Sequence, residues 1–272
     1  MRWISLILIL VAFRPANAVT ELDSTAAQKL YSAFLIASNK MSWADRPTNY
    51  FAERLSQQAS EADPNLQRYL EATTTVPSTH PMVVDLVERL TASAHSDSEK
   101  LFLIHNFVVW RMTHTAFFFK PLATKISMAS RKGRLYQCIH HAGEGNAWIK
   151  PPEVCGLFED IDVGDDHTLS LFFTGLHNCW GYSVLFATLA RAAGIPTQIA
   201  KFTQSNSQHV WNRVYLGGAW YVVDTTFDDG PDRGQYEDDS AMKVEFDYFL
   251  ITDKMAAKLD PETHARYRVT DD

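Results

Sequence analysis

The sequence predicts an α+β protein, with its helices first and an antiparallel sheet last. Three observations carry this reading. Residues 21–112 read as successive helices punctuated by proline. Tyr182, Leu185, Phe186, Leu189 and Ala193 then recur at helical spacing, and Gly194-Ile195-Pro196 supplies the stop. Finally, two strand-like runs, 209–216 and 219–224, flank Gly217-Gly218. That pair is a hairpin signal, because the favoured two-residue turn takes positive φ at both central positions.

At the start of the chain, Arg2, the apolar run Ile4 to Phe13 and the small residues of Ala16-Asn17-Ala18 form the pattern of a secretory signal peptide, residues 1–18, cut after Ala18. The run is too short to cross a bilayer core of about 30 Å. Its removal deletes two arginines and no acids, so the formal charge moves from −7 to −9, with 23 basic against 32 acidic residues. An acidic body argues against nucleic acid as a partner. The expectation is an exported protein, periplasmic or secreted, without a stable membrane anchor after cleavage.

Residues 19–95 follow as a helical N-terminal region, with helix starts expected at Arg46-Pro47, Asp63-Pro64 and His80-Pro81. Ser96-Asp97-Ser98-Glu99 matches a capping box, in which serine and glutamate each satisfy an orphan backbone donor. The helix it opens should run to about Met112. Leu101, Leu103, Ile104, Phe107, Val108 and Trp110 cover most of its circumference, which predicts burial on all sides. Residues 96–272 are read as one domain holding the chemistry, interrupted at 113–168 by a long irregular insertion rich in Gly, Pro, His and Asp.

Three cysteines are an odd number for an oxidising compartment. A disulfide between Cys138 and Cys155 would leave Cys179 as the unpaired thiol. Cys138-x-His140-His141 with Cys155 can instead be read as metal ligands, although the spacing matches no standard zinc pattern. Asp160-x-Asp162-x-Gly164-x-Asp166 lacks the twelfth-position glutamate of a calcium loop and reads as a solvated acidic loop. Phe117-Phe118-Phe119 reads as core packing or the lining of an acyl pocket. No metal and no organic cofactor is expected.

Cys179 falls at or just before a helix N-terminus. Thr197 to Phe202 reads as a strand, followed by a polar loop and the hairpin strands 209–216 and 219–224. Pairing Leu216 with Ala219 sets His209 opposite Thr226 and Trp211 opposite Asp224. His209, Trp211, Asp224 and Thr226 then share one face, with His209 and Asp224 as diagonal neighbours about 7–8 Å apart at Cβ or somewhat less. An imidazole can reach a carboxylate across that distance. A helix N-terminus and a neighbouring imidazolium both favour a thiolate, and a carboxylate fixes the tautomer of its histidine. The pattern points to Cys179 as nucleophile, His209 as base and Asp224 as orienter. His177 is a rival base, two residues before Cys179 and pointing elsewhere.

Gly175-Leu176-His177-Asn178-Cys179-Trp180-Gly181-Tyr182-Ser183, Leu189-Ala190-Arg191-Ala192-Ala193-Gly194-Ile195-Pro196, His209-Val210-Trp211-Asn212 and Trp220-Tyr221-Val222-Val223-Asp224-Thr225-Thr226 together resemble the signature blocks of the transglutaminase-like superfamily. Tyr248-Phe249-Leu250 with Thr252-Asp253 resembles the tail of bacterial members, and the likeness covers roughly residues 97–265. The resemblance implies a papain-like core in which the nucleophile begins a helix packed on an antiparallel sheet. It also implies a polar or aromatic side chain, N-terminal to the nucleophile, that stabilises an oxyanion. Trp110 and His114 are the candidates by position, and Trp180 and Trp211 are candidates for the cleft.

The expected activity is cysteine-dependent acyl transfer or hydrolysis on protein or peptide amides through a thioester. Water as acceptor makes a peptidase or amidase, and an amine makes a transglutaminase. A catalytically idle binding module on the same fold is the alternative from another class.

Overall fold

A computed structural model of the chain describes residues 21–38, 42–43, 65–114, 167–204, 207–229, 243–261, 263–264 and 267–270. The expected signal peptide at 1–18, the proline sites at 46–47 and 63–64, the Phe117-Phe118-Phe119 run, Cys138, His140, His141, Cys155 and the acidic segment 160–166 lie outside the described residues.

Among the described residues three helices come first, α1 (Glu21–Ser38), α2 (Pro81–Thr91) and α3 (Asp97–Arg111), with a two-residue strand β1 (Ser42–Trp43) after α1 and a 3₁₀ turn at Leu66–Leu70. Pro81 is the first residue of α2, where its missing N–H is no loss and its φ is already helical. Ser96 caps α3 by accepting the Glu99 N–H at 3.2 Å, as the capping box predicts. The reciprocal bond reaches one residue further back, to the His95 N–H at 2.5 Å. Every residue of α3 from Leu101 to its end is buried except Leu103, which is the consequence expected of an apolar surface without a wet face.

The second half holds β2 (Thr113–His114), α4 (His167–Thr174), β3 (Leu176–His177) and α5 (Cys179–Ala192), then β4 (Thr197–Gln204), β5 (Ser207–Leu216), β6 (Ala219–Val223), β7 (Lys243–Val244), β8 (Phe249–Ile251), α6 (Asp253–Leu259) and β9 (Arg268–Thr270). Five strands form one antiparallel sheet in the order β8-β6-β5-β4-β9. The hairpin register runs from Leu216 opposite Ala219 to Asn212 opposite Val223, as expected from the Gly217-Gly218 turn, whose φ values are +57° and +92°. Helix α5 stops where Gly194 takes φ +82° and the Ile195 N–H returns to the Ala190 carbonyl at 3.0 Å.

One apolar cluster joins α1, α2, α3, α4 and α5 to the sheet through residues such as Leu30, Leu86, Phe107, Phe172, Leu185, Val214 and Phe249. From α5, Tyr182, Leu185, Phe186 and Leu189 are each fully buried, and each stabilises the packing by roughly 1.5–3 kcal/mol. Along β5 the side chains alternate. Val210 packs with Val184, Ala187 and Ile199 between helix and sheet, whereas Trp211 packs on the opposite face with Ile251, Ala256 and Tyr267. Asn212 locks the layers, its buried Nδ2 donating to the Ser183 carbonyl of α5 at 3.0 Å and the Gln198 carbonyl of β4 at 3.3 Å. This clamp fixes the start of α5 against β5. No described helix is long and apolar enough to cross a membrane.

Candidate active site

Cys179 is the first residue of α5, and Asn178 caps that helix by accepting the Trp180 N–H at 3.1 Å. His177 is held at the same helix end, its Nδ1 accepting the Gly181 N–H at 3.2 Å, so it is turned to the helix backbone. Its expected orientation away from a base role agrees with this contact. The strand β3 that carries His177 pairs in parallel with β2, which sets His114 opposite His177. His114 thereby reaches the sulfur of Cys179, to which it is hydrogen-bonded.

His209 and Asp224 come together as the hairpin register requires. Nε2 of His209 lies 2.6 Å from Oδ2 of Asp224, leaving Nδ1 for the sulfur. Asp224 has no solvent exposure. Its Oδ1 accepts the N–H groups of Thr226 (3.1 Å) and Phe227 (3.2 Å), an arrangement that pins the carboxylate. Its own N–H donates to the Tyr248 carbonyl at 3.2 Å. That bond depends on an irregularity in the β6–β8 ladder, where Leu250 takes φ +53° and the register shifts between Val222 and Val223. Bulges of this kind bend a strand and re-aim its groups next to functional sites.

The electrostatics follow from these contacts. Burial works against a charged sulfur, but hydrogen bonds from His114 and His209, the charge of His209 and the Val210 N–H together outweigh it, so the Cys179 thiol is lowered from 9.0 to about 6. Burial also opposes the charged form of His209, yet Asp224 and then Cys179 raise it from 6.5 to about 10. Asp224 is held far below the usual carboxylate range by His209 and His264, against its own burial. Between about pH 6 and about pH 10 the favoured state is therefore thiolate, imidazolium and carboxylate.

Aromatic rings enclose the imidazole. Phe227 stacks on His209 at 4.4 Å between centroids and 12° between planes, and Trp211 lies at 5.8 Å and 21° on it. Trp211 is buried, whereas Phe227 is 37% exposed and forms the rim. Trp180 is partly buried beside Cys179 against Val184, Ala187, Ile199 and Val210. Trp110 is a correction to the sequence reading. It sits in the helical core against Phe34 (5.5 Å) and Phe107 (5.6 Å), because its position on α3 faces α1. Of the two side chains considered for an oxyanion, only His114 lies at the cysteine.

Two residues of the site carried no signal that sequence reasoning used. Phe227 lies beyond the strand in which Asp224 was found. His264 follows α6, with no periodic relation to His209 or Asp224, and only the return of the C-terminal segment brings it there. His209, Asp224 and His264 offer three ligand atoms within 4.8 Å of one another. Imidazole and carboxylate donors suit zinc, but a cation there would take the Nε2 that His209 gives to Asp224.

Comparisons with known proteins fall on this region. The sequence profile of the Transglutaminase-like superfamily matches residues 158–225, which include Cys179, His209 and Asp224. The Kyphoscoliosis peptidase of Mus musculus is 34% identical over 65 residues, covering 20% of this chain and 10% of that protein. The match thus spans about a tenth of the curated relative. A cysteine protease candidate from Cytophaga hutchinsonii, known from a crystal structure, is similar at 14% identity and a TM-score of 0.38, over 64% of this chain and 46% of that one. Residues 158–225 are thus similar to the transglutaminase-like superfamily, within a chain whose helices pack on a five-stranded antiparallel sheet.

Proposed function

We propose that this chain is a cysteine-dependent enzyme acting on protein or peptide amides through a thioester on Cys179. The observation that carries the reading is a single imidazole, His209, hydrogen-bonded to the Cys179 thiol on one side and to a fully buried carboxylate at 2.6 Å on the other. A base and an orienter at one nucleophile form the constellation that covalent catalysis needs.

In the reactive state His209 carries a proton on each ring nitrogen and Cys179 is a thiolate. The sulfur attacks the amide carbonyl carbon, and the C=O π electrons move to oxygen. Two donors beside the sulfur are available to that oxyanion. One is the His114 side chain. The other is the Cys179 N–H, since the helix cap consumes those of Trp180 and Gly181. As the oxyanion collapses, the C–N bond breaks and Nδ1 of His209 gives its proton to the leaving nitrogen. The amine departs and a thioester remains. Water then gives a proton to the neutral imidazole, its oxygen adds to the thioester carbon, and collapse releases a carboxylic acid and restores the thiolate. An amine in place of water would form a new amide.

Hydrolysis is the fate we favour, because the curated relative that matches this segment is a peptidase by name. Export directed by residues 1–18 belongs to the same reading, and recovery of full-length chain from the cytosolic fraction would contradict it.

The test is intact-protein mass spectrometry after an acid quench from a peptide mixture. An acyl adduct on Cys179, removed by hydroxylamine and absent in Cys179→Ser, supports the thioester. Adding a primary amine then divides hydrolysis from transamidation by product mass. A verified free thiol that gives neither adduct nor turnover would favour a binding module instead.

A further inference from the structure

Oδ2 of Asp224 is approached by two imidazoles. Nε2 of His209 lies at 2.6 Å, and Nε2 of His264 lies at 3.3 Å. The second contact is off the line of a hydrogen bond, and neither ring nitrogen of His264 makes one among the described residues. Such isolation is uncommon for a side chain only 2% exposed, since buried polar groups ordinarily find partners. The ring is nonetheless held firmly. It packs at 4.5 Å from the Trp211 ring, stacks on Tyr248 at 5.2 Å and 26°, lies 5.7 Å from Phe227, and meets His209 edge-on at 6.0 Å. Its Nδ1 is 3.9 Å from Oδ2 of Asp260, one helical turn earlier. The titratable groups facing it are therefore Asp224, Asp260, His209 and Tyr248. Burial, and then the surrounding aspartates, push Tyr248 up to about 12, so it stays neutral throughout the working range.

A thiolate, an imidazolium and a carboxylate together leave one uncompensated negative charge at a site where Asp224 has no exposure and His209 only 8%. Such a charge is costly unless it meets an opposing charge or dipole. The Thr226 and Phe227 N–H groups serve Oδ1, and His264 is the group placed to serve Oδ2 beside His209. We infer that His264 is a positioning residue, which keeps Asp224 ionised and in place so that Asp224 can hold His209 against Cys179. This inference rests on the roles proposed above for Cys179, His209 and Asp224. The forces on Asp224 agree with it: burial raises that carboxyl, and His209 followed by His264 lowers it.

The test compares full-length parent protein, His264→Phe, which keeps the ring's bulk without its N–H, and His264→Gln, which restores a donor. The readouts are the rate of Cys179 alkylation by iodoacetamide across pH 4–9 and the thermal midpoint. His264→Phe is expected to raise the apparent thiol pKa by about one unit and to slow alkylation near pH 6 by about fivefold. His264→Gln should recover part of that loss, and His264→Phe should add nothing once His209→Ala is present. A thermal midpoint that falls in His264→Phe with an unchanged alkylation profile would overturn the inference in favour of mere packing. Should His264→Phe fail to fold, His264→Leu, which also lacks the N–H, takes its place, and an unaltered alkylation profile in a folded His264→Leu overturns the inference in the same way. Failure of the underlying reading looks different, because parent protein would then alkylate as an ordinary thiol with or without His209.

Discussion

Gly181 occupies the first turn of α5, where helix propensity and local packing pull in opposite directions. In an exposed helix interior, glycine to alanine gains about 1 kcal/mol. Here a Cβ on residue 181 would stand 2.3 Å from Cβ of His177, 2.6 Å from its Cγ and 2.9 Å from its Nδ1. Carbon pairs are comfortable at about 3.5–4.0 Å, so His177 must retreat by more than about 1 Å. The clash is with the root of the side chain, and the β2–β3 pairing ties its backbone, so the residue cannot swing aside alone. Overpacking of this kind costs about 1–3 kcal/mol. Gly181→Ala is therefore expected to destabilise the protein by about 1–2 kcal/mol, lowering the thermal midpoint by about 2–8 °C. It should also slow Cys179 alkylation, since the displaced segment leads into the nucleophile. In a His177→Gly background the clash is gone, and the same substitution should become neutral or stabilising. Calorimetry on the four proteins of this cycle measures the coupling. A midpoint that rises on Gly181→Ala in the parent protein would refute the reasoning, because propensity alone would then govern the site.

Three further outcomes follow from the site. Asp224→Asn keeps an acceptor for the Thr226 and Phe227 N–H groups but sets an amide against Nε2 of His209, so peptide turnover should fall on the order of 10⁴-fold, measured against an unaltered near-ultraviolet circular dichroism spectrum. Phe227→Ala removes the ring stacked on the imidazole, and a cation–π loss of about 0.5–1 kcal/mol predicts a two- to five-fold slower alkylation of Cys179 at pH 5, below the thiol's own transition. Asp228 is raised from 3.8 to about 6 by burial, against the pull of His105 at 2.9 Å. A carboxyl raised on folding favours the folded state below its unfolded pKa and loses that contribution as pH rises through about 6. Asp228→Asn should therefore gain stability relative to the parent as pH goes from 4 to 8, by roughly 3 kcal/mol, and denaturant midpoints that track each other over that range would contradict this.

Much of the site was legible because it rests on local rules. The Gly217-Gly218 turn sets the hairpin register, and period-two alternation then puts His209 and Asp224 on one face. The Ser96 cap and the Gly194 stop likewise depend on neighbours in sequence. What escaped depends on tertiary return. Trp110 and His114 lie four residues apart, and nothing local tells that one turns to Phe34 while the other follows a short parallel pairing to the cysteine. His264 reaches Asp224 only after α6 has crossed the back of the sheet, and the Leu250 irregularity that brings Tyr248 to Asp224 carries no glycine to announce it.

The central claim is a thiolate–imidazolium pair at Cys179 and His209, and the most direct measurement is the iodoacetamide alkylation rate of Cys179 across pH 4–9 in the parent and in His209→Ala. The account predicts an apparent pKa near 6 in the parent. Because Cys179 is lowered, reactivity should be present above that value and lost as pH falls through it, and His209→Ala should move the transition upward. A parent profile centred at the ordinary thiol value of about 8.5, unchanged in His209→Ala, would contradict the account.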